Sequence, residues 1–208
     1  MIFLLMALGG LAQIFAWRLL SVGALTIWTS SVPALAACGA AALISNRVSL
    51  SPNLSLAAAV PVGLLAGLFL FAATRTFLAV AAGSPTLRRA SREVYAEQHD
   101  VPTALAVVLS LGLAVPGEEL FWRGLFQGKA SAAFGSFGGA VLTWVCYVVV
   151  NATSGLLALV AGAVVGGAVW GALAWWTHGV LAPLLCHAVW TGLMLVRQPV
   201  PRRHRLRV

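Results

Sequence analysis

The chain has 208 residues, of which 61% are hydrophobic and only 9% charged, with a formal net charge of +8. A soluble domain carries about a quarter of its residues as charges, so this composition excludes one and makes lipid the solvent. The basic excess is not a nucleic-acid footprint, because the arginines flank apolar runs, where charge sets membrane orientation.

Taken in order, the pattern predicts an all-α polytopic transmembrane bundle of about seven spans, six to eight being compatible with it. Ile2 to Trp17 is a short apolar helix closing at Arg18, with neither the basic start nor the polar continuation of a cleaved signal peptide. A second span is expected from Val22 to Ile44, kinked at Pro33 and closed by Ser45-Asn46-Arg47. Ser51-Pro52-Asn53 makes a turn before a long third span, Leu54 to Ala82, near whose end Arg75 is expected to snorkel to the interface. Gly83-Ser84-Pro85 then breaks the pattern. Thr86 to Asp100 is the one sizeable polar segment and reads as an amphipathic surface helix, a solvated connector rather than a gate.

Val101 to Val115 begins the next apolar run. Pro116-Gly117 is expected to bend or interrupt it and to loosen its backbone hydrogen bonding, and a break there would aim a helix N-terminus at the acidic pair that follows. GKASAAFGSFGG, after Phe126, reads as a turn region, followed by spans at Ala140 to Val150 and Leu156 to Trp176. Gly162, Gly166, Gly167 and Gly171 in the latter are expected to let helix backbones approach closely. Leu181 to Val196 closes the bundle. Cys38, Cys146 and Cys186 stand singly in apolar surroundings and read as small buried hydrophobes. The chain thus divides into helices and polar connector (1–100), a core (101–197) and a basic tail (198–208). Placing the tail inside puts Arg18, Arg88, Arg89, Arg92 and Arg197 with it and leaves Arg47 and Lys129 outside, an N-out, C-in arrangement in a cell (inner) membrane with a cytoplasmic C-terminus.

The chemistry concentrates in Leu113 to Phe126, LAVPGEELFWRGLF, which sets Glu118, Glu119 and Arg123 inside apolar sequence. Ionisable groups in hydrocarbon are costly, face the bundle interior and mark function. On a helix Glu119 and Arg123 share a face, with the acid on the favourable N-terminal side. Glu118 lies about 100° round the axis and has no partner on its own helix, which suits it to proton transfer. The alternative is a structural ion cluster between helices.

Read with two later segments, GEELFWRG resembles the EExxxR motif of the CPBP intramembrane proteases, the family of CAAX prenyl endopeptidases and bacteriocin-processing proteins. Their second motif is typically FxxxH, and Tyr147-Val-Val-Val-Asn151 stands in its place; His187-Ala-Val-Trp-Thr191 takes the place of the third, HxxxN or HxxxD. The resemblance covers about Val101 to Val196. It implies cleavage of a peptide bond at a membrane-embedded site. Glu118 would be the water-activating base, Glu119 the supporting carboxylate, Arg123 the motif arginine and His187 the third-motif histidine.

Two positions depart from the pattern. Asn151 replaces a histidine and cannot accept a proton near neutral pH, and Thr191 replaces an amide or acid with a shorter hydroxyl donor. His178 reads as a polar helix-end residue, and His99 and His204 as solvated. No cofactor is required by this reading. If a metal such as zinc takes part, Glu118 and His187 would be its ligands, fewer than the three or more protein ligands usual for that ion. The expected partners are membrane lipid and a membrane-associated peptide or protein substrate, with no nucleic acid. Beside the protease stand two alternatives, a family member that binds without cutting and a small transporter. The transporter is opposed by the lack of an inverted repeat or a second ionisable cluster.

Overall fold

The structure is a computed structural model that describes residues 2–45, 48–49 and 53–198. Among them there is no strand. Eight helices follow one another: α1 Ile2–Ser21, α2 Ser31–Ile44, α3 Leu56–Val80, α4 Pro85–Gln98, α5 Thr103–Phe134, α6 Ser136–Ala152, α7 Leu157–Thr177 and α8 Leu181–Val196. Four of them (α1, α3 with the turn that follows it, α5 and α7) are long and apolar enough to cross a membrane. The apolar helices α2, α6 and α8 are shorter, at 14, 17 and 16 residues. Large side chains such as Phe3, Phe15, Leu65, Phe69 and Phe77 point outward, as they would toward acyl chains rather than water. The chain is an all-α, membrane-type bundle. The Asn46-Arg47 close of the second segment, the Ser51-Pro52 turn and the tail from residue 199 lie outside the described residues.

Local chemistry explains several boundaries. The Ser84 side chain accepts a hydrogen bond from the Leu87 N–H, and Pro85 occupies the first turn of α4, where its missing N–H costs nothing. At its other end α4 is fastened to the end of α8: the Tyr95 hydroxyl donates to the Met194 carbonyl, and His99 pairs with Gln198. Arg75 donates to the Arg197 carbonyl at the exposed edge of the same end.

Several expectations are corrected. The second span does not begin at Val22. Residues 22–30 form hydrogen-bonded turns, and Pro33 sits in the first turn of α2, where no kink follows. The supposed turn region after Phe126 shrinks to Gly135, whose φ of 77° separates two helices.

Pro116-Gly117 does not interrupt α5. The helix runs on through two wide π-turn segments, Ser110–Ala114 just before the proline and Leu120–Phe126 just after the glutamates. A wider turn next to Pro116 accommodates the ring and the missing N–H without ending the helix. Both glutamates are therefore mid-helix, with no helix N-terminus aimed at them. Glu118 lies about 22 Å along the axis from Thr103 at 1.5 Å per residue.

The glycines of α7 take side chains rather than backbones. A Cβ at Gly167 would stand 2.8 Å from the Tyr147 ring, and one at Gly166 would stand 2.7 Å from Trp170. Close backbone approach occurs instead where α3 meets α8, at Gly63 and Gly67, and where α2 crosses α5, at Gly39 and Gly117. A methyl group on Gly117 would overlap the Leu35 carbonyl. Gly117→Ala is accordingly expected to lower stability by roughly 1–3 kcal/mol through overpacking, read as a fall in the melting midpoint in detergent; an unchanged midpoint would show that α2 can yield.

Candidate functional site

The crossing of α2 over α5 fixes the turn that carries Glu118 and Glu119, and the packing of α3 on α8 fixes the helix that carries His187. The second wide turn of α5 then leaves Phe121, Trp122, Arg123, Gly124 and Leu125 all buried. Trp122 is held by its indole N–H, which donates to the Gln13 side chain of α1 over 2.9 Å. The charged residues therefore project from a helix that is packed on every side.

Glu119 is the hub. Its Oε1 accepts from Arg123 Nη1 at 3.2 Å and from His187 Nδ1 at 2.8 Å. Arg123 Nη2 donates to the Gly167 carbonyl of α7 at 3.3 Å, and the guanidinium lies 4.3 Å above the Tyr147 ring. Because Nδ1–H donates to a carboxylate, the neutral His187 ring keeps its lone pair on Nε2. Nε2 stands 4.0 Å from Glu118 Oε2. That separation is longer than a hydrogen bond, yet one water can bridge it with two bonds of about 2.8 Å. The Glu118 and His187 side chains retain 11% and 7% exposure, whereas those of Arg123 and Glu119 retain 1% and 0%. All four are buried, Glu119 and Arg123 the more completely.

His187 is also clamped by its ring. Trp170 of α7 stacks on it with centroids 3.6 Å apart and planes at 15°, and Trp190 packs at 6.3 Å. A flat indole against an imidazole fixes the ring plane. Neither Trp170 nor Tyr147 is a candidate on spacing grounds. The signal that could have found Trp170 is a large aromatic among the α7 glycines, which a reading of small residues as backbone contacts hides.

The remaining candidates are less central. Asn151 is 2% exposed, but its Nδ2 donates to the Tyr147 carbonyl one turn back on α6, at 2.9 Å. Thr191 lies one turn beyond His187, half-buried, and makes no hydrogen bond among the described residues. His178 caps α7 in the left-handed region, with φ 53°, and lines a polar cleft of about 160 Å³ with Ser49, Gln127, Ser131 and Ser136 that reaches Arg123. It therefore stands apart from Glu118. His99 is at the α4–α8 fastening, and His204 lies outside the described residues.

Tetrahedral zinc takes three or more protein ligands. Among the described residues no three His, Cys, Asp or Glu side chains are grouped to hold a metal ion. The donor set does not fit such an ion. What the arrangement can do is hold a water between a carboxylate and an imidazole in a dry, preorganised setting. Residues 100–193 match the family model described as Type II CAAX prenyl endopeptidase Rce1-like. No curated protein and no solved structure gives a match.

Proposed function

Residues 100–193, which carry every charged member of the site, match the Rce1-like family model, and from that premise we propose that the protein is an intramembrane endopeptidase. Its substrate class is a membrane-associated peptide, with prenylated tails the first to try. The observation that carries the reading is the 4.0 Å gap between Glu118 Oε2 and His187 Nε2, with Glu119 fixing the far side of the imidazole.

In this mechanism a water in the gap gives a proton to Glu118 while its oxygen bonds to the scissile carbonyl carbon. The carbonyl π electrons move to oxygen and form a tetrahedral oxyanion, for which the Thr191 hydroxyl is the proposed donor, while the neutral His187 Nε2 accepts the other O–H of the attacking water. Collapse re-forms the carbonyl, breaks the C–N bond, and returns the proton from Glu118 to the leaving amine. Glu119 and Arg123 touch no reacting atom. They orient His187 and keep its Nε2 free. General base help of this kind is worth about 10²–10⁴-fold in rate.

The test is hydrolysis of lipidated peptides by the full chain in vesicles, followed by mass spectrometry, for wild type and His187→Gln. Product from the wild type with at least a hundredfold less from the variant, about the low end of general acid–base effects, is the expected result. Absence of product from both would overturn it. One observation favours a second reading, a family member that binds such peptides without cutting them: Asn151 bonds its own helix and brings no base to the site. Peptide retention without product would support that reading.

A further inference from the structure

We infer that Trp170, seated over Gly166 of its own helix, is a positioning residue for the proposed hydrolysis: its indole face holds the His187 imidazole in the plane that keeps Nε2 opposite Glu118. The inference rests on the hydrolase reading and assigns to it a residue outside the three motif segments.

Among the described residues the His187 ring makes one hydrogen bond, from Nδ1–H to Glu119 Oε1 at 2.8 Å. Such a bond tethers one atom and leaves the plane of the ring open. The torsion that sets this plane is broad and roughly two-fold in histidine, so the plane has to be imposed from outside. Trp170 imposes it, stacked on the imidazole with centroids 3.6 Å apart and planes at 15°. Trp190 stands 6.3 Å from the same ring and is tilted by 49°, too far and too oblique to do this. With one atom and the plane both fixed, Nε2 stays 4.0 Å from Glu118 Oε2, a separation that one water can bridge.

The seat of the indole is built into α7. A helical side chain lies back over the turn N-terminal to its own Cα, which for Trp170 is the turn of Gly166. The three atoms nearest a Cβ placed at Gly166 all belong to the six-membered ring of Trp170, the closest at 2.7 Å. Any side chain at 166 would therefore push the indole off its seat. Edge-on rings enclose it further, Trp190 at 5.8 Å and Tyr147 at 6.5 Å, and the Arg123 guanidinium lies 5.4 Å from it. Trp190 is in turn tied to α3, its N–H donating to Thr74 Oγ1 at 3.1 Å. Trp170 is 1% exposed, so it acts through His187 and not on the substrate.

The experiment compares wild type, Trp170→Leu, Trp170→Phe and Gly166→Ala, with His187→Gln as the inactive reference. It reads kcat and KM on one lipidated peptide in vesicles, and in detergent the proton NMR position of the His187 ring, which a stacked indole moves upfield. A catalytic group misplaced by about 1 Å loses about a hundredfold, so Trp170→Leu should lower kcat about 10–100-fold while KM stays within about threefold. The upfield shift should vanish with it. Trp170→Phe keeps a flat face and should recover most of the rate and of the shift. Gly166→Ala alters no group that touches His187, yet should lower kcat by displacing the indole. Unchanged kcat in Trp170→Leu beside an inactive His187→Gln would overturn the inference and leave the hydrolase reading standing. So would a rise in KM alone, which marks a substrate contact, or equal losses in the Leu and Phe variants, which mark packing. No cleavage by the wild type would overturn both. Should Trp170→Leu not fold, Gly166→Ala decides, and full kcat there would overturn the inference.

Discussion

Glu118→Gln is expected to reduce kcat by at least the 10²–10⁴-fold that a general base contributes, with the protein still folded. The amide has the shape of the carboxylate but cannot accept a proton near neutral pH. Folding should survive because, among the described residues, Glu118 forms no ion pair shorter than 4.0 Å. Single-turnover cleavage, with the melting midpoint as the folding control, checks this. A loss of less than about tenfold would show that His187 alone activates the water, and the mechanism above would have to be abandoned.

Glu119→Ala is expected to have the largest effect on stability. Arg123 has 1% side-chain exposure, and its one acidic partner is Glu119; the Gly167 carbonyl and the Tyr147 ring cannot neutralise it. Removing one member of a buried pair leaves an uncompensated charge, at a cost of about 3–5 kcal/mol. His187 would at the same time lose the acceptor that fixes its tautomer, so activity should fall as well. The double change Glu119→Leu with Arg123→Met should recover most of the stability, since apolar groups can replace a buried pair, and none of the activity. Unfolding in detergent and a cleavage assay separate the two effects. A Glu119→Ala protein as stable as wild type would show that water reaches Arg123 and that the pair is not sealed.

Much of this site can be read along the chain because its members are neighbours on one helix. Four residues separate Glu119 from Arg123, and helical geometry puts them on one face whatever surrounds them. Glu118, one residue earlier, must point elsewhere. The apolar runs were equally legible, because a bilayer demands long uncharged segments.

The boundaries were less so. Proline and glycine at 116–117 look like a break when only local propensity is considered. In the folded protein they are a packing device, since the wide turn before Pro116 absorbs the ring and the bare Gly117 admits the α2 backbone. The α7 glycines misled in the opposite sense, making room for Tyr147 and Trp170 rather than for another helix.

The amino-acid order thus dictates a membrane bundle and the ion pair of Glu119 with Arg123, since these follow from hydropathy and the 100° step of a helix. It does not dictate which distant groups meet. His187 lies 68 residues beyond Glu119, and its choice of Glu119 for Nδ1 and its stacking on Trp170 come from how three helices cross. Crossing positions are set by the places where glycines let backbones touch and by two wide turns in α5, each a balance among many contacts. No local period in the chain records such a balance, so the geometry of the site belongs to the folded bundle alone.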